Sequence, residues 1–212
     1  MQAKDRNKMK ISATGISKYF GDKKIFKEIN FVIESGISLA ITGPNGSGKT
    51  TLIKILSGLM KPTMGKIQYE EKGLVIKQES WFKYLSLVGP YLELYEELSA
   101  EDNLLFLARI KNIPSARQRI KSLMERVNLH GREQDAVKTY SSGMRQRLKY
   151  VFALLSDPQI LLLDEPTSNL DEEGIGIVYE IMKEQKKEKI LIIATNERHD
   201  LKYGDKHIAI TA

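Results

Sequence analysis

Eight consecutive residues constrain this 212-residue chain more than anything else in it: Gly43-Pro44-Asn45-Gly46-Ser47-Gly48-Lys49-Thr50. They satisfy the spacing G-x-x-x-x-G-K-[ST], whose value lies in its backbone. Gly46 and Gly48 let the chain turn tightly and bring its N–H groups onto phosphate oxygens without Cβ interference. The flanks are those the mechanism needs. Alternating residues Ile37–Thr42 predict a strand before the loop, and Leu52, Ile55, Leu56 and Leu59 predict a helix over Thr51–Leu59 after it. The positive end of that helix adds to the anion site. Gly43, Pro44, Asn45, Gly46, Ser47, Gly48, Lys49, Thr50 and Thr51 are therefore expected to bind ATP, with Lys49 on the β- and γ-phosphates and the Thr50 hydroxyl on Mg²⁺. A structural glycine turn that happened to carry Lys-Thr would require neither flank.

A second segment, Ile160-Leu161-Leu162-Leu163-Asp164-Glu165, puts two carboxylates at the end of four aliphatics. Such a run reads as a strand buried on both faces. Ligands of open α/β sheets sit beyond the carboxyl ends of the strands. Asp164 is expected to hold Mg²⁺ through a water, since this ion sheds its hydration reluctantly. Glu165 would orient or deprotonate an attacking water, a role worth about 10²–10⁴ in rate. Alone, the pair could equally cap Pro166-Thr167; with Lys49 in the same chain the chemical reading is favoured.

Composition narrows the rest. A 42% hydrophobic fraction supports one compact core. The absence of cysteine excludes disulfides and thiolate metal sites, and His130, His199 and His207 lack helical metal-ligand spacing. No apolar run reaches the roughly 18–20 residues that span a bilayer, and the N-terminal MQAKDRNKMK has no signal-peptide core. A cytoplasmic protein is expected. The formal charge of +6 favours anionic partners without choosing among them, and the Lys-rich Lys183–Lys189 reads as the solvated end of a helix. Short strands are predicted at Ile11–Ile16, Ile29–Glu34, Lys66–Tyr69, Lys83–Val88, Ile190–Ala194 and His207–Ile210. Helices are predicted from Ser99, from Pro114-Ser115 to about Val127, from Ser142 to about Leu155 and over Glu172–Lys187. The expectation is one α/β domain over residues 1–212 with a helical insertion at about 91–150, and no room for an appended regulatory domain.

Between the two motifs lies Tyr140-Ser141-Ser142-Gly143-Met144-Arg145-Gln146-Arg147. It resembles the signature motif of the ATP-binding cassette (ABC) ATPases, L-S-G-G-Q-x-Q-R, matching at Ser141, Gly143, Gln146 and Arg147 and departing at Tyr140, Ser142 and Met144. Ser168-Asn169-Leu170-Asp171 resembles the family's D-loop, in which Ser168 and Asp171 are the residues of interest. The motifs run in family order along nearly the whole chain, which is identified as a member of that family. The resemblance implies a P-loop NTPase (RecA-like) core with an N-terminal antiparallel β subdomain and an inserted helical subdomain. It also implies a head-to-tail dimer in which Ser141, Ser142, Gly143 and Met144 face the ATP of the partner cassette. Ser141 would cap its helix at the same time. Phe20 stands where the family stacks an aromatic on adenine, with Tyr19 as a substitute; a half-buried strand aromatic is the alternative.

Two departures bear on turnover. Pro90, in Val88-Gly89-Pro90-Tyr91, occupies the place of the Q-loop glutamine and has no side-chain oxygen, so this loop is expected to act as a hinge without touching the metal. Asn196, after Thr195, replaces the switch histidine; it retains one amide donor but carries no charge. Losing an electrostatic donor costs about 2.7–4 kcal/mol at a transition state, so slowed but real ATP hydrolysis by Glu165, Lys49 and Asn196 is expected. His199 could compensate, although a surface position suits it better. The work driven is that of a separate membrane permease, gripped by the helical insertion, with the cassette peripheral on the inner face of the cell membrane. DNA-repair and translation-associated ABC ATPases are the alternatives. The first inserts a long coiled coil and the second carries two cassettes, neither of which is seen here, and no nucleic-acid partner is expected. Val88–Leu98 is similar to the haem-exporter ATPases of cytochrome c maturation, while the cargo would be chosen by the permease.

Overall fold

A computed structural model describes residues 8–211, so the reading of the N-terminal MQAKDRN lies outside the described residues. Two sheets form from two sequence grammars. The alternating N-terminal segments become β1 (Met9–Phe20) and β2 (Lys23–Glu34), joined at Gly21-Asp22. They continue in one antiparallel sheet with β4 (Met64–Glu71) and β5 (Leu74–Ile76), in the order β2-β1-β4-β5. One face of β1 buries Met9, Ile11 and Ala13, as period-2 alternation requires.

The unbroken aliphatic runs become the buried centre of a parallel sheet. Its strands are β3 (Ser38–Thr42), β6 (Leu85–Val88), β7 (Ile160–Asp164), β8 (Ile190–Ala194) and β9 (Lys206–Ala209), ordered β6-β7-β8-β3-β9. Every residue of β7 and β8 is buried. Burying one such Leu or Ile contributes roughly 1.5–3 kcal/mol, so the centre of this sheet is the anchor of the molecule. Helix α1 (Lys49–Leu56) lies between the sheets, placing Leu52, Ile53, Ile55 and Leu56 in a core shared with Ile11, Tyr69, Leu162 and Ile192. On the opposite face, α5 (Glu172–Glu188) packs Val178, Ile181 and Met182 against Leu161, Leu163, Leu191 and Ile193.

Three helices, α2 (Ala100–Ile110), α3 (Ala116–Arg126) and α4 (Ser142–Leu154), gather around their own core of Leu104, Ile120, Met124, Leu148 and Val151. Ser99 caps α2 by accepting from the Asp102 N–H, as its sequence foretold. Several boundaries differ from expectation. Residues Gln78–Lys83 form 3₁₀ turns, so β6 starts at Leu85 instead of Lys83: Trp81 leaves the strand path to stack on Tyr69 at 4.2 Å. Ser115 does not cap α3; it adopts φ 50° and its side chain makes no cap bond, so the helix begins at Ala116. Helix α1 starts two residues earlier than the periodicity suggested and ends at Leu56, because Ser57 and Gly58 close it. The short α6 (Arg198–Leu201) and strand β5 were not anticipated.

Candidate nucleotide site

Register decides what meets at the sheet edge. β3 lies beside β8 with Ile41 opposite Ala194, and β8 lies beside β7 with Ala194 opposite Asp164. The residues that follow these three neighbouring strands therefore emerge level with one another: the glycine loop, Asn196 and Glu165. That edge is the carboxyl end of a parallel sheet, the general ligand position of such folds.

The loop between β3 and α1 is folded by its glycines. A Cβ on Gly43, at φ 146°, would stand 2.4 Å from the Ile210 carbonyl oxygen. A Cβ on Gly48, at φ 108°, would collide with Ile25 Cγ2. Gly48 also serves as the N-cap of α1, where no side chain caps the helix and its first amides stay available to an anion. Lys49 is 6% exposed and its ammonium is turned back into the loop. It donates to the Gly43 carbonyl at 2.9 Å, to the Pro44 carbonyl at 3.4 Å and to Asn196 Oδ1 at 2.9 Å, and lies 3.6 Å from Glu165 Oε1. A desolvated ammonium held by neutral carbonyls and one loosely spaced carboxylate is suited to exchange them for phosphate oxygens.

Asp164 ends β7 with 1% exposure, and neither of its carboxylate oxygens has a hydrogen-bond partner. Burial raises its pKa, opposed by the Thr50 hydroxyl and by the Lys49 and Lys54 charges. Thr50 is near enough to influence the carboxyl, yet falls short of a well-formed hydrogen bond. Buried polar groups are almost always paired, so an orphaned carboxylate beside a hydroxyl fits a divalent cation with water in its shell. No cluster of three or more acidic or imidazole ligands occurs among the described residues.

Glu165 follows in a left-handed conformation, φ 51°, with its N–H bonded to the Ala194 carbonyl at 2.8 Å. A non-glycine residue held there is strained, and such strain clusters at functional sites. Burial raises the Glu165 pKa, Lys49 lowers it, and Asp164 raises it further. Asn196 presents its carbonyl oxygen to Lys49 and its amide to Asn45 Oδ1, joining the loop after β8 to the glycine loop. The amide foreseen as a phosphate donor is thus engaged with Asn45. His199 is exposed on α6 and makes no hydrogen bond to this cluster among the described residues.

The other expected residues sit apart. Ser141 caps α4 by accepting from the Met144 N–H at 3.2 Å, and both Ser141 and Ser142 are exposed. Gly143 approaches the D-loop, where a Cβ would lie 3.6 Å from the Asn169 carbonyl. Ser168 is exposed, and Asp171 caps α5 through the Gly174 N–H at 2.8 Å. Phe20 is the last residue of β1, 49% exposed and with Lys18 Nζ 4.9 Å from its ring centre, so it is a half-buried strand aromatic with part of its ring open. Two participants escaped the sequence reading. Tyr91, beside Asp164, was seen only as the neighbour of Pro90. Asp200, fully buried, accepts from Thr195, Thr167 and Tyr179 hydroxyls at 2.9, 3.2 and 3.1 Å, and no periodicity or motif marks it.

A glycine loop on a helix N-terminus, level with two strand-end carboxylates, defines a nucleoside-triphosphate-binding fold of the P-loop class. Residues 26–168 match the family model described as ABC transporter. The chain is 35% identical over 190 residues to the uncharacterized ABC transporter ATP-binding protein YybJ of Bacillus subtilis, covering 90% of this chain and 86% of that protein. It is 34% identical over 175 residues to the daunorubicin resistance ATP-binding protein DrrA3 of Streptomyces coeruleorubidus, covering 82% of this chain but only 55% of that relative. A solved ATP-binding subunit of an ABC transporter superposes with a TM-score of 0.85 at 27% identity, over 94% of this chain and 85% of the other. The chain belongs to the ABC transporter family.

Proposed function

We propose that this chain is the ATP-hydrolysing subunit of an ABC transporter, acting as one of two cassettes on a separate membrane permease. The observation that carries the reading is the meeting of Lys49, Glu165 and Asn196 at the tips of three adjacent strands. ATP lies along Gly43–Thr51, with adenine on Phe20 and the phosphates on the loop amides. Lys49 then leaves the Gly43 and Asn196 oxygens for the β- and γ-phosphates. Thr50 and Asp164 hold Mg²⁺, which neutralises phosphate charge when bound. Glu165 accepts the proton of the attacking water, and the burial that raises its pKa makes it a stronger base. Ser141 and Ser142, exposed at the tip of α4, complete the partner's site together with the partly buried Gly143 and Met144, with Ser168 and Asp171 between the two cassettes.

Asn196 cannot supply the charge of an imidazolium, so turnover is slow compared with a histidine at that place. The permease reading draws on the outer side of the helical group. Phe82, Phe106 and Ile110 are 47, 49 and 55% exposed, and a cleft bordered by Phe82, Ile110, Lys111 and Arg119 opens there. Among the described residues no helix is long and apolar enough to cross a membrane, so the permease would be another chain and this one peripheral on the cytoplasmic face. The name of DrrA3 speaks of drug resistance, which favours export. The test is ATP hydrolysis by the purified chain together with co-purification from membranes. Activity abolished by Glu165→Gln and a co-purifying integral membrane protein support the reading; recovery on ribosomes or DNA instead would replace it with the non-transport alternative.

A further inference from the structure

Pro90 leaves the loop after β6 without the amide that would reach the metal end of the site. Its neighbour has the oxygen that Pro90 lacks. The Tyr91 hydroxyl is shielded from solvent and has no hydrogen-bond partner, which is also the condition of both Asp164 oxygens. Gly89 lies against both side chains, where an added Cβ would crowd them. A Cβ on Gly89 would lie 3.1 Å from Tyr91 Cζ and 3.3 Å from Asp164 Cβ. Lys54 lies over the Tyr91 ring, its Nζ 4.3 Å from the ring centre. Lys54 is one helical turn beyond Thr50 on α1, so it projects from the same face. The loop is tied to the helical group as well, since Lys149 on α4 donates to the Gly89 carbonyl at 3.4 Å.

An orphaned phenol beside an orphaned carboxylate is costly in the empty protein and is repaired once water or a ligand enters. Burial and the Asp164 charge both raise the Tyr91 pKa, so the hydroxyl keeps its proton and remains a donor. We propose that Tyr91 is a positioning residue at the metal end of the site, where its hydroxyl supplies the hydrogen bond that residue 90 cannot, to the water layer that Asp164 holds around Mg²⁺. This rests on the reading of Thr50 and Asp164 as the metal site. It also gives the loop a direct line from the helical group to the metal.

The test compares Tyr91→Phe with its parent, both in full-length chain carrying Glu165→Gln so that nucleotide persists. ATP affinity is measured by calorimetry with Mg²⁺ and with EDTA, and the apo melting temperature is recorded. The expected result is loss of about tenfold or more of the metal-dependent gain in affinity, the range seen when outer-shell partners are removed. Affinity in EDTA stays unchanged, and the apo melting temperature is unchanged or higher because an unpaired hydroxyl is gone. A variant that keeps the full metal-dependent gain, or that loses affinity equally in EDTA, overturns the Tyr91 proposal alone. A parent that gains nothing from Mg²⁺ overturns the metal reading and this proposal with it.

Discussion

Asp164 is a carboxylate with 1% exposure and both oxygens unpaired. Its folded pKa is raised by burial, so the ionised form costs stability at neutral pH, and the cost is relieved as pH falls through the raised value. Asp164→Asn removes the buried charge and is therefore expected to raise the apo melting temperature at pH 7. The gain shrinks as pH falls toward the ordinary carboxylate range, and thermal unfolding across pH measures it. Asn196 belongs to the same scale. Asn196→Ala removes the oxygen that accepts from Lys49 and the amide that reaches Asn45. Its ATPase rate in the assembled dimer is expected to fall by about tenfold or more, with Asn196→His above the wild type. An alanine rate equal to wild type would take residue 196 out of catalysis.

Between elements, the decisive contact is one that no local pattern announces. Asp200 on α6 receives hydroxyls from Thr167 after β7, Thr195 after β8 and Tyr179 on α5, so it fastens the loops that carry Glu165 and Asn196 to each other. Burial raises its pKa while the three hydroxyls lower it. Asp200→Ala leaves three donors without their acceptor and is expected to cost roughly 2–3 kcal/mol. For a chain of this length that is about 4–12 °C in melting temperature. An unchanged melting temperature would show the network to be idle. Two helix starts, by contrast, were legible from single residues. Ser99 and Ser141 cap α2 and α4 as their sequence positions implied, because a cap is made within four residues. Ser141→Ala should cost about 1 kcal/mol of stability while Ser141→Thr keeps most of it, measurable by chemical denaturation. At the start of α3 the side chain of Ser115 makes no cap bond, and its backbone is left-handed.

For the molecule as a whole, the proposed reading has the exposed Ser141 and Ser142 at the start of α4 meet a second cassette, either a copy of this chain or a related one. Glu165→Gln with saturating Mg-ATP is expected to elute as a dimer in size-exclusion chromatography and to return to monomer when nucleotide is removed. A species that stays monomeric would leave Ser141 with its capping role only. What the sequence alone determined is everything encoded over a few consecutive residues: the glycine loop, the buried aliphatic strands with their terminal carboxylates, and the capped helix starts. Backbone freedom, side-chain alternation and capping act at short range, and one chain displays them openly. The order β6-β7-β8-β3-β9, the Lys49–Asn196 contact across 147 residues of chain, the orphaned pairing of Tyr91 with Asp164 and the Asp200 hub were decided by tertiary structure. Burial and strand register bring those groups together, and neither is a property of any residue's neighbours in sequence.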